Sequence, residues 1–100
     1  MYNYSAKVVR VVDGDTVDFD VDLGFKTTLR LRGRLVGVDT PERGHADWGK
    51  AKDMLSELLI QHADEDGRIQ ICTHKTGKYG RWLVDIDNVN KTLAEIWPYG

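Results

Sequence analysis

Val17, Phe19, Val21 and Leu23 alternate strictly with Asp18, Asp20 and Asp22. A period of two predicts a half-buried antiparallel strand from Thr16 to Leu23, apolar side chains inward and aspartates outward. Ahead of it, Tyr4 to Val12 carries the β-branched Val8, Val9, Val11 and Val12 and predicts a first strand. Asp13-Gly14-Asp15 is a turn, in which Gly14 is expected to supply an unusual φ and the aspartates to bond the local backbone. Gly24 turns the chain again, and Lys26 to Val38 predicts a third strand. Arg30, Arg32 and Arg34 recur at spacing two and share one of its faces, while Gly33 marks a bulge or a close approach. Leu35, Val36 and Val38 read as the buried end of this strand. Thr40-Pro41 is expected to stop it, because proline cannot donate to a ladder.

The period then changes. Asp47 is placed to cap a helix, and Ala51, Leu55, Leu58, Leu59 and His62 recur at helical spacing as one apolar stripe. Asp64, Glu65 and Asp66 oppose a helix C-terminal dipole, so the helix ends near Ala63 with His62 as a structural helix-end residue. Arg68 to His74 predicts a fourth strand, Thr76 to Gly80 a loop and Arg81 to Ile86 a fifth strand. Asp87-Asn88 turns, Asn90 caps, and Lys91 to Trp97 forms a short helix stopped by Pro98. The order β-β-β-α-β-β-α suits an α+β fold, a five-stranded Greek-key barrel of the OB type with two helices, as a single domain over residues 1–100.

Composition narrows the class. Hydrophobic residues make up 41% and charged residues 30% of 100 residues, and no apolar run is long enough to span a bilayer. The opening residues lack the basic and apolar regions of a signal peptide, and Cys72 is the only cysteine. The expectation is a cytoplasmic protein with no membrane partner, a monomer in preference to an oligomer. A net charge of −2 argues against coating nucleic acid with the whole surface. The charges are nevertheless segregated, with Lys26, Arg30, Arg32 and Arg34 in one stretch, Lys75, Lys78 and Arg81 in another, and acids from Asp13 to Asp22. Such segregation suits a protein that needs a cation site and a phosphate site, and equally suits ordinary solvated faces.

Candidate chemistry concentrates between Arg34 and Glu42. One cation, a carboxylate at a strand terminus (Asp39) and a second carboxylate past a proline (Glu42) are parts of a metal-assisted phosphoryl site. The same residues also make a plain strand, turn and solvated charges. Arg34 and Asp39 are an odd number of positions apart, so they can share a site only if the strand bends or Asp39 lies beyond its regular end. Asp18-x-Asp20-x-Asp22 is not an EF-hand loop, because Leu23 and Leu29 stand where that loop needs Gly and Glu. Cys72 and His74 lie on one strand face, but two ligands make no zinc site.

Three motifs now stand in order: Asp13-Gly14-Asp15-Thr16, Arg34 to Glu42, and Lys78-Tyr79-Gly80-Arg81. With the strand order, they resemble the staphylococcal nuclease (thermonuclease) family of OB-fold, calcium-dependent nucleases, from about Val8 to about Leu93. The resemblance implies that Asp15, Asp39 and the Thr40 carbonyl hold Ca2+, with Asp13 shaping the metal pocket. It implies that Glu42 positions or deprotonates the attacking water and that Arg34 and Arg81 hold the scissile phosphate. Lys78 and Tyr79 correspond to contacts with a neighbouring phosphate. The implied reaction is phosphodiester hydrolysis of DNA and RNA, single strands preferred, leaving 3′-phosphorylated ends. The rival expectation is a non-catalytic OB module that binds single strands by stacking and electrostatics. Two departures bear on substrate affinity: a short loop between Glu42 and the helix, and a chain that stops soon after its second helix.

Overall fold

Strand β1, Tyr2–Asp13, is long enough to serve two neighbours, and the rest of the barrel is wound on it. The computed structural model describes residues 2–76 and 82–97. Along the chain follow β2 (Thr16–Asp22), β3 (Thr28–Leu35), α1 (Trp48–His62), β4 (Arg68–Thr76), β5 (Trp82–Asp85) and α2 (Val89–Ile96). The five strands close into a barrel in the order β1-β2-β3-β5-β4. All neighbours are antiparallel except β3 and β5, which run parallel. The predicted five-stranded OB-type architecture, with a helix after the third strand, is the observed one.

Strict alternation in β2 does what its period requires. Val17, Phe19 and Val21 are buried, while Asp18 and Asp20 face out and pair across the sheet with Arg32 and Arg30. Ala51, Leu55 and Leu59 form the buried stripe of α1, and Leu93 and Val89 do the same for α2. His62 is a helix-end residue whose ring Nδ1 lies 2.8 Å from the Leu58 carbonyl oxygen. Asp64 receives the Asp66 and Arg68 amides and so organises the loop that follows α1.

The third strand is shorter at both ends than the pattern predicts. Leu23, expected inward, is exposed: Asp22 accepts the Gly24 amide and opens a turn in which Gly24, Phe25 and Lys26 all have positive φ. At the other end the ladder stops at Leu35, five residues before Thr40-Pro41 is reached. The Val36 amide donates to the Val84 carbonyl, and the chain then reverses through Gly37 at φ +74, a conformation that costs glycine little. Val36 is exposed and Val38 is buried, so the predicted run of buried residues is broken there.

Asn90 does not cap α2. Asn88 holds the cap position, and Asn90 is buried one residue inside the helix. Its Oδ1 accepts the Ile86 amide at 2.9 Å, and its Nδ2 donates to the carbonyls of Val36 at 2.9 Å and Val84 at 3.0 Å. One side chain thereby ties the exit of β3 to β5 and α2. Asp47 does sit at the cap position of α1, without a side-chain capping bond. Among the described residues, no helix is long and apolar enough to cross a membrane.

Candidate functional site

The hairpin between β1 and β2 and the exit of β3 meet at the N-terminal end of α1. The Leu35 amide donates to the Asp15 carbonyl at 2.8 Å, which fixes the β3 exit against the Asp13-Gly14-Asp15 turn. Gly14 is required there for a different reason than expected. Its φ is not positive; instead a Cβ at Gly14 would stand 2.7 Å from Ala51 Cβ and 2.7 Å from Thr40 Oγ1. The turn, the Thr40 segment and α1 thus pack together only because residue 14 has no side chain. Gly33 is likewise a close approach, where a Cβ would meet Val84 Cγ2 at 2.6 Å.

Asp13, Asp15, Arg34, Asp39, Thr40, Pro41, Glu42 and Arg43 line one cavity of about 480 Å³. The parity problem between Arg34 and Asp39 is resolved by the early end of β3, which leaves Asp39 beyond the regular strand. Arg34 Nη2 lies 3.5 Å from Asp15 Oδ2 and 3.9 Å from Asp39 Oδ1, so both carboxylates face one guanidinium nitrogen. Its Nη1 donates to the Leu35 carbonyl at 3.2 Å, which restrains the fork. Asp15 is held on both oxygens: Thr16 Oγ1 donates to Oδ1 at 3.0 Å and the Thr40 amide to Oδ2 at 3.5 Å. Thr40 is buried, and its Oγ1 has no hydrogen-bond partner among the described residues. Glu42 is exposed at the mouth of the cavity.

Sequence reasoning missed Trp48. The first residue of α1 donates its indole N–H to Asp13 Oδ1 at 2.7 Å, locking the turn to the helix. Arg43 Cζ and Lys52 Nζ stand over the same indole, 5.3 Å and 4.5 Å from the ring centroid. Exposed cation–π contacts of this kind contribute about 0.5–1 kcal/mol each. The available signal was an aromatic residue at a helix start, with Lys52 one turn later at i+4. Arg43 itself was visible only as part of a polar loop.

The other predicted arginines divide clearly. Arg32 and Arg30 make two-point contacts with Asp18 and Asp20 on the outer face of the sheet, away from the cavity lining. The Arg32 guanidinium holds the Asp18 carboxyl below its ordinary range, and Arg30 does the same to Asp20. Lys78, Tyr79 and Arg81 lie outside the described residues.

The cavity fits a hard cation by its donor chemistry. Its wall offers carboxylate oxygens from Asp13, Asp15, Asp39 and Glu42, with neither thiolate nor imidazole among the lining residues. No group of three or more His, Cys, Asp or Glu converges as a metal cluster among the described residues. Asp15 and Asp39, which share the guanidinium of Arg34, are the carboxylates placed to hold a cation in this cavity. Cys72 and His74 gain no further metal ligand among the described residues.

Known proteins are similar to this chain over most of its length. The chain is 32% identical to the micrococcal nuclease of Shigella flexneri over 81 residues, which are 81% of this chain and 41% of that protein. It is 34% identical to Protein ParB of Escherichia coli over 92 residues, 92% of this chain and 46% of that protein. The chain thus spans less than half the length of the curated relatives it matches. No family model matches the sequence.

Proposed function

The chain belongs to the staphylococcal-nuclease-like family, and from that premise we propose that it hydrolyses phosphodiester bonds of DNA and RNA in a calcium-dependent reaction. The observation that carries this reading is the meeting of Arg34, Asp15 and Asp39 in one polar cavity with Glu42 at its mouth. A phosphate needs a fork of donors, and a hydrolytic site needs a carboxylate free to take a proton. Both are within this one wall.

Asp15, Asp39 and the Thr40 carbonyl are the residues that would hold Ca2+, which when bound supplies charge stabilisation to a phosphoryl oxygen. Arg34 binds the scissile phosphate through parallel N–H bonds, and Arg81, by its place in the Lys78-Tyr79-Gly80-Arg81 motif, adds a second guanidinium. Glu42 accepts a proton from a water molecule as its oxygen bonds to phosphorus. The bond from phosphorus to the 5′-oxygen breaks, that oxygen takes a proton from solvent water, Glu42 returns its proton to solvent, and the phosphate stays on the 3′-oxygen. Asp13 does not touch the phosphate in this scheme; it anchors the turn to Trp48. Lys78 and Tyr79 take a neighbouring phosphate, and single strands are the preferred substrate.

The test is cleavage of a single-stranded oligodeoxynucleotide with calcium, with magnesium alone and with chelator. Cleavage in calcium, lost on chelation and weak in magnesium, is the expected result, since magnesium demands a stricter octahedron. Binding without cleavage in any of the three would make the protein a single-strand-binding module instead.

A further inference from the structure

The cavity does not end at Glu42. An adjoining cavity of about 420 Å³, lined by Asp39, Thr40, Pro41, Glu42, Arg43 and His45, shares most of its wall with it. Arg43 stands on the wall of both. It belongs to a loop folded on itself: the His45 amide donates to the Glu42 carbonyl at 3.0 Å, and the Asp47 amide to His45 Nδ1 at 3.0 Å. The loop ends on Trp48, whose indole is fixed by Asp13 and carries Arg43 and Lys52 over its ring. Arg30, Arg32, Arg34 and Arg68 each have a carboxylate within ion-pair distance; among the described residues neither Arg43 nor Lys52 has one. Two cations are therefore held over one indole next to the loop that lines the cleft, and among the described residues neither is in an ion pair.

We propose that Arg43 and Lys52, propped on Trp48, form a phosphate subsite that takes a backbone phosphate of the strand leaving the cleft past Glu42. This rests on the nucleic-acid reading above and extends it to a second segment of substrate. A side chain already restrained against an aromatic ring loses less freedom on binding an anion than a free one. The subsite makes no base contact, so it adds length-dependent affinity with no sequence preference. Trp48 acts here as a positioning residue, since it reaches the phosphate only through the two cations it carries.

The experiment compares wild type with the Arg43→Gln/Lys52→Gln double variant, binding fluorescein-labelled oligothymidylates of about two and about eight nucleotides in chelator at several salt concentrations. Each phosphate contact contributes about 0.7 to the slope of log affinity against log salt on single strands. The double variant is expected to lose up to about 1.4 from the slope for the longer strand, and nothing for the dinucleotide. Each single variant loses about half as much, which serves if the double variant fails to fold. Equal slopes in all proteins, with calcium-dependent cleavage intact, would overturn the subsite and leave the proposed activity standing. No binding of either strand and no cleavage by wild type would overturn both.

Discussion

Replacing Gly14 with alanine tests the packing that builds the site. The new Cβ would stand 2.7 Å from Ala51 Cβ and from Thr40 Oγ1, where carbon atoms normally rest at about 3.5–4.0 Å. Neither neighbour is the loose end of a long side chain: Ala51 and Thr40 are both buried, and Ala51 Cβ moves only with the helix backbone. The turn and α1 must separate by several tenths of an ångström or more. Overpacking of this kind costs about 1–3 kcal/mol. At about 4–8 °C per kcal/mol for a domain of this size, the melting temperature should fall by at least ~4 °C. Asp13 and Asp15 flank the substituted residue, so the bonds from Trp48 and Thr40 should stretch together and any cation affinity should drop. Thermal unfolding by circular dichroism measures the first effect, with Gly49→Ala as control. Nothing lies within 4 Å of a Cβ at Gly49 in the first turn of α1, so that variant should melt at or slightly above wild type. Adding Ala51→Gly to Gly14→Ala should restore part of the loss beyond the sum of the single changes. A Gly14→Ala protein that melts with wild type would refute the close approach.

Asn90→Ala leaves the Ile86 amide and the Val36 carbonyl without their side-chain partner, so it should destabilise the barrel by about 2–5 kcal/mol in urea unfolding. A loss under about 1 kcal/mol would mean that water replaces the side chain. The pairs on the outer sheet face predict a pH dependence. Asp18 and Asp20 have depressed folded-state values, caused first by hydrogen bonds from Arg32 and Arg30. Their contribution is thus fully present above the unfolded carboxyl value of about 3.9 and is lost as pH falls through the folded values. The stability gap between wild type and Asp18→Asn, measured in urea, should be constant from pH 7 to 5 and shrink below about pH 4. A gap independent of pH down to the acid limb would remove the ion pair from the account.

Where one periodicity dominated, the sequence was readable. β2 is legible because Val17, Phe19 and Val21 alternate with aspartates that each find an arginine across the sheet. The stripe of α1 is legible because Ala51, Leu55 and Leu59 repeat with the helical turn. The end of β3 was not, because Val36 and Val38 look like strand residues and only Gly37, with its positive φ, breaks them. Asn90 misled for a related reason: the polar atoms that make asparagine a good cap also satisfy three backbone groups from inside the barrel. In the site, motif spacing brought Asp13, Asp15, Arg34, Asp39, Thr40 and Glu42 to one cavity. The supporting roles of Gly14 and Trp48 depend on where α1 docks, and nothing local in the sequence records that docking.

Glu42→Gln addresses the central claim most directly, because it separates chemistry from binding at one residue. The substitution keeps the size of the side chain and removes the oxygen that takes the proton from water. General-base assistance is worth about 10²–10⁴-fold, so calcium-dependent cleavage of single-stranded DNA should fall by that order. Binding of the same strand should hold or tighten, since a negative charge at the mouth of the cavity is gone. The measurement is both quantities on one folded preparation of each protein. Wild type that cleaves, beside a Gln variant that binds as well and cleaves 10²-fold or more slowly, is the predicted outcome; a Gln variant that cleaves as fast as wild type would contradict it.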